Sequence, residues 1–142
     1  MPLINFGSIL SFAEEMEKQD LAFYSDAATN EKCEMYSALF SQFAKEAQSN
    51  ISNIQRLRRE NVTEMILENI EGFTRAPYCL ECGLAGDMDV AAALETAREL
   101  EDRSIRYYTA AAEKLKTLSE VSRALKLIGK KHAGRQGKIG AL

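Results

Sequence analysis

Two glutamates of this chain sit where a helix should be apolar. Glu17 falls on the stripe Leu10, Ala13, Glu17, Tyr24, Ala27, and Glu101 falls on the stripe Leu94, Ala97, Glu101, Tyr108, Ala111. Residues spaced by three, four and seven share one helix face. A carboxylate buried without a partner costs several kcal/mol, so a metal, a cation or a hydrogen-bond donor must meet each one. His132 and Arg135, three apart near the C-terminus, are candidate partners. Cys79-x-x-Cys82-Gly83 and Cys33 bring a second chemistry, thiolates able to bind zinc or iron or to form a disulfide. Glu14 and Lys18, four apart on another face, make an ordinary solvated pair.

The elements that must position these groups are helical. With Pro2 and Pro77 the only prolines, long stretches stay open to helix, and four segments carry helical periodicity. The first runs from about Ser8 to Ala28, with Thr29 or Asn30 available to cap the next helix. The second runs from about Glu31 to Glu60. A short helix from Val62 to Glu71, opened by Asn61-x-x-Glu64 and closed at Gly72, precedes a loop from Phe73 to Met88. The third helix starts near Asp87 or Asp89 and reaches about Lys116. Thr117-x-x-Glu120 then reads as a capping box for the fourth, which Gly129, Gly134 and Gly137 should fray past Gly134. Tight connections join helices one to two and three to four, and residues 61–88 form one long crossover. The chain is expected to be a single all-α domain over residues 1–142, a four-helix bundle.

The same two stripes are copies of one another. Leu10 to Ala28 superposes on Leu94 to Ala112 at an offset of 84, with identities at Leu10/Leu94, Ala13/Ala97, Glu15/Glu99, Glu17/Glu101, Tyr24/Tyr108, Ala27/Ala111 and Ala28/Ala112. Shared apolar spacing accounts for the Leu and Ala matches but not for Glu17/Glu101, so helices one and three read as equivalent halves of a duplicated hairpin. Glu, then Tyr seven residues on, then Ala-Ala, occurring twice in a four-helix chain, resembles the rubrerythrin branch of the ferritin-like superfamily. The likeness covers nearly the whole chain except residues 61–88. It implies a ferritin-like bundle in which two helices each give one Glu and two each give a Glu-x-x-His, together holding two irons.

Glu17 and Glu101 match the first kind of ligand, and the second kind is missing. On helix two the apolar face Tyr36, Phe40, Phe43, Ala47, Ile54 sets Ala47 and Asn50 at the Glu-x-x-His positions. A one-residue shift would set Glu46 and Ser49 there, at the expense of turning Gln42, Glu46, Ser49 and Asn53 inward together. On helix four the spacing of Leu125, Ile128 and Ile139 sets His132 and Arg135 there, although His132 in a basic tail can equally be exposed. Two glutamates against Arg135 and a protonated His132 would be neutral without metal, and a guanidinium that cannot lose its proton repels a divalent ion. The core is therefore expected to hold no cofactor, its di-iron centre replaced by a polar network.

The cysteines leave alternatives open. One Cys-x-x-Cys supplies two of the four ligands of a zinc-ribbon or rubredoxin-like site. Parallel helices two and three would bring Cys33 to the same bundle end, where three thiolates, or two sets across a homodimer, could bind zinc or iron or form a disulfide. Three unrelated cysteines are the alternative.

Eighteen Lys and Arg against 21 Asp and Glu give a net charge of -3, which argues against nucleic acid. Residues 126–142 hold Lys126, Lys130, Lys131, Arg135 and Lys138 with no acid, which suits the negative end of a helix. No run approaches the roughly 20 apolar residues of a membrane span. Without a basic leader, three cysteines point to a reducing cytoplasm. Three functions fit these residues. The first is a binding or structural module with a degenerate di-iron site, which assigns no catalytic residue. The second is an iron-binding oxidoreductase for peroxide or oxygen, with Glu17, Glu46, Glu101 and His132 as ligands. The third is a thiol-redox or zinc element at Cys33, Cys79 and Cys82 on an inert bundle.

Overall fold

In the computed structural model, residues 5–61, 70, 72–83 and 85–142 are described. Among the described residues the regular elements are all helices, four of them long: α1 Phe6–Thr29, α2 Ser37–Glu60, α3 Val90–Lys114 and α4 Ser119–Gly140. Asn5 starts α1 with a capping box to Ser8, and Asp89 starts α3 by accepting from the Ala92 backbone N–H. Asn30 ends α1 and caps the 3-10 turn Glu31–Tyr36 through the Lys32 N–H. Its amide also donates to the carbonyls of Ala85 and Met88 at 2.8 and 2.7 Å, fastening the approach to α3 onto the end of α1. Apart from Ile70, the short helix expected over 62–71 lies outside the described residues.

Two expectations about α4 need correction. Thr117 caps nothing, because the turn after α3 is so tight that α4 starts one residue later, after Leu118, which makes no side-chain cap. Ser122 closes the turn instead, donating to the Ala112 carbonyl at 2.8 Å. Nor does the helix fray past Gly134. It continues to Gly140 because His132, Arg135 and Ile139 are buried along its last turns, and packing outweighs the cost of three glycines.

Each helix contributes to two apolar clusters with a polar stretch between them. One cluster takes the beginnings of α1 and α4 and the ends of α2 and α3, with Leu10, Phe12, Ile54, Tyr107 and Leu125 among its members. The other takes Phe23 from the later part of α1, Phe40 and Phe43 from the first part of α2, Ala97 and Leu100 from α3, and Ile139 from the end of α4. Between them in every helix lie buried polar residues: Glu17 and Asp20, Asn50, Glu101 and Ser104, His132 and Arg135. The site is this polar layer, enclosed above and below by hydrocarbon.

Candidate functional site

Glu17 and Glu101 are both fully buried, and both reach His132. The imidazole bridges them: Nε2 lies 2.7 Å from Glu17 Oε1, and Nδ1 hydrogen-bonds Glu101 Oε2. Burial alone would push the His132 pKa down, but the two carboxylates outweigh it and raise the value to about 10. The ring is therefore an imidazolium at neutral pH, donating from both nitrogens. Arg135, 1% exposed, sets Nη1 3.5 Å from Glu101 Oε1 and Nε 3.8 Å from Glu46 Oε2. Tyr24 donates to Glu101 Oε1 at 2.7 Å, and Asn50 Nδ2 donates to Glu17 Oε1 at 3.0 Å. Burial works against ionisation of Glu101, yet the His132 hydrogen bond, the charges of His132 and Arg135 and the Tyr24 hydroxyl hold its pKa below the usual value.

On α2 the chain adopts the register that turns Ala47 and Asn50 inward, both 0% exposed. Glu46 remains half-buried at the edge of the layer, against Arg135. Ala47 brings no polar side chain, so the α2 contribution to the network is the Asn50 amide.

Two charged members of the layer escaped the sequence reading. Asp20 and Arg103, at 0% and 1% exposure, form an ion pair at 3.1 Å. A signal existed for each: Asp20 continues the buried spacing Glu17, Asp20, Phe23, Tyr24, and Arg103 continues Leu100, Arg103, Tyr107. Arg103 also donates to Gln19 Oε1 at 2.9 Å, and residues 19 and 103 are related by the same offset of 84 that relates Glu17 to Glu101. Burial, then the nearby Glu17 and Glu101 charges, push the Asp20 pKa well up, so Asp20 is the acid whose ionisation the layer resists. Three acids thus meet three bases, Glu17, Asp20 and Glu101 against Arg103, His132 and Arg135.

Among the described residues, Glu17, Asp20 and His132 are the group whose ligand atoms approach within 4.8 Å of one another, the reach of a shared metal ion. His132 is a poor ligand in this state, because each ring nitrogen carries a proton directed at a carboxylate and neither has a free lone pair.

The cysteines do not join into one site. All three are free thiols. Cys33 is buried in the kinked turn before α2, its Sγ 3.9 Å from the Met88 carbonyl. Cys82 lies 3.6 Å from Gln19 Nε2, and Cys79 is exposed. An intrachain disulfide with Cys33 is therefore absent, and no three-thiolate group within metal-sharing reach occurs among the described residues. The physical reason is that Asn30 and Gln19 tie the two parts of the crossover to different places, residues 85–88 to the end of α1 and Leu80 to its middle. Among the described residues no helix is long and apolar enough to cross a membrane. Comparison of the chain with known protein families, with curated proteins and with solved structures finds no match.

Proposed function

We propose that this chain is a rubrerythrin-like, ferritin-like four-helix protein in which a charge-compensated network stands where the family holds two irons, and that it works as a binding or structural module. The observation that carries this reading is His132, held between Glu17 and Glu101 with Arg135 closing on Glu101. The residues do not fit a pair of irons. Arg135 brings a permanent positive charge to Glu101, one of the carboxylates that would have to hold a metal, and His132 gives both nitrogens to carboxylates. Glu46, needed by the iron-binding oxidoreductase reading, faces Arg135 from the rim of the layer.

Topology supports the family likeness. The end of α2 shares an apolar cluster with the beginnings of α1 and α4, whereas early α3 shares the other cluster with early α2. That the end of α2 and the start of α3 belong to different clusters supports reading the connection between them as the one long crossover of ferritin-like chains.

Metal analysis of freshly purified protein, with its visible spectrum, tests the proposal. Substoichiometric iron and no charge-transfer band are expected. Two irons per chain, lost on Glu101→Ala, would overturn it in favour of the oxidoreductase. As the converse experiment, Ala47→Glu, Asn50→His, His132→Glu and Arg135→His in one chain restore the family's ligand types and should create iron binding.

A further inference from the structure

We propose that the groove between α2 and α4 docks an acidic amphipathic helix of a partner protein. The groove has a volume of about 390 Å³, with Leu57 of α2 and Ala124 and Ile128 of α4 among its lining. Arg56 stands on the α2 wall, and Lys130 and Lys131 stand on the α4 wall. On the other flank of α4 a second groove, of about 290 Å³, runs over Ile105, Tyr108 and Gly129 and is rimmed by Lys126 and Lys130. Between the two grooves Leu127 projects with 54% of its surface exposed, one of three large exposed hydrophobic residues among those described.

Charge complementarity selects the occupant. Lys126, Lys130 and Lys131 have neither an ion pair nor a hydrogen bond among the described residues, although the chain as a whole carries a net charge of -3. Among the described residues Arg56 has only its own-helix neighbour Glu60, at 4.0 Å. Unspent positive charge on an acidic protein steers an anionic partner to one face. The cations are spaced as a helix would read them: Lys126 and Lys130 lie one turn apart, as do Leu127 and Lys131, and Arg56 faces them across the apolar floor. A ligand with a single charged head leaves most of these cations unanswered. A helix with an apolar stripe and glutamates along both edges answers them on both walls, and it also covers Leu127. A second copy of this chain docked about a two-fold axis would bring the same basic, acid-free patch of both copies together, which repels.

This inference deepens the binding-module reading by naming its partner, and it rests on residues outside the buried network. The probe is a synthetic helix of about 18 residues with leucines at three- and four-residue spacing and glutamates on both flanks. A lysine-flanked version and vesicles of phosphatidylglycerol serve as comparisons. The full-length protein should bind the acidic helix with micromolar affinity that weakens with salt, and amide resonances of Leu57, Leu127 and Ile128 should shift. Leu127→Asp, and separately Lys130→Glu with Lys131→Glu, should each weaken binding by about tenfold or more without altering the melting temperature, since all three side chains are exposed. No binding, equal binding of the lysine-flanked helix, tighter capture by the vesicles, or affinity unmoved by these variants would each overturn the proposal. Iron in the core would overturn the module reading and leave this one standing, so the two failures are distinguishable.

Discussion

Tyr24 donates its hydroxyl to Glu101 at 2.7 Å, a bond from α1 to α3, while its repeat-related partner Tyr108 has a buried hydroxyl with no hydrogen-bond acceptor among the described residues. The two tyrosines at the offset of 84 are thus chemically unequal. A hydrogen bond to a charged group contributes about 1.5 to 3 kcal/mol, whereas deleting an unpaired buried hydroxyl is nearly neutral. Tyr24→Phe should therefore lower the unfolding free energy by about that amount and Tyr108→Phe should hardly change it. Urea titrations of the two variants decide the matter, and equal losses would mean that the two tyrosines are equivalent.

Arg135 and Glu101 form one buried pair, and each is costly alone. Arg135→Met leaves Glu101 with a missing counter-charge and should cost about 3 to 5 kcal/mol. Changing Glu101→Gln in the same chain removes the stranded charge, so the double variant should be markedly milder than the sum of the two single changes. A double-mutant cycle on denaturation midpoints measures the coupling. Strict additivity would show that the two groups do not act as a pair.

The protonated state of His132 makes stability fall toward alkaline pH. Its pKa rises from 6.5 to about 10 on folding, so its contribution is complete below pH 6.5 and is lost as pH climbs toward 10. The loss amounts to at most about 5 kcal/mol over that window. Glu101, whose pKa is lowered, contributes the opposite limb, with stability lost as pH falls below the ordinary carboxylate range. Urea midpoints at pH 6, 8 and 10 should decline for the parent protein. The decline should be largely absent in His132→Gln, and a flat parent profile would contradict a buried imidazolium.

Glycines of α4 should respond to alanine with opposite signs. A Cβ on Gly129 would stand 3.2 Å from the Cβ of Tyr108, whose ring is fully buried and stacked on His132 at 5.5 Å between centroids. Tyr108 has nowhere to retreat, so Gly129→Ala should lower the melting temperature despite the better helix propensity of Ala. A Cβ on Gly134 or Gly137 meets nothing within 4 Å among the described residues, and alanine at either should add about 1 kcal/mol. Thermal melts of the three variants check the reversal.

Much of this arrangement is already legible in the amino-acid sequence, because hydrophobic periodicity is a local property of each segment. The four helices follow from it, and so does the inward direction of Glu17 and Glu101, whereas His132 and Arg135 could be placed on the inner face by spacing but equally in an exposed basic tail until packing buried them. The register of α2 follows from residue type, since only one alignment avoids a wholly polar core face, and that alignment buries Ala47 and Asn50. The repeat at an offset of 84 is a comparison of the chain with itself and needs no coordinates. Tertiary structure decided which charge met which. Arg103 and Asp20 are 83 residues apart in sequence, and the spacing that puts each on the buried face of its own helix does not say that they meet; that pairing exists only once α3 is packed against α1. Tertiary packing also decided the end of α4, where three glycines argue locally for fraying and burial of His132, Arg135 and Ile139 keeps the helix intact. It separated the cysteines as well. Spacing shows that Cys79 and Cys82 can act together, but where a crossover is fastened depends on long-range hydrogen bonds from Gln19 and Asn30, which no pattern within the loop encodes.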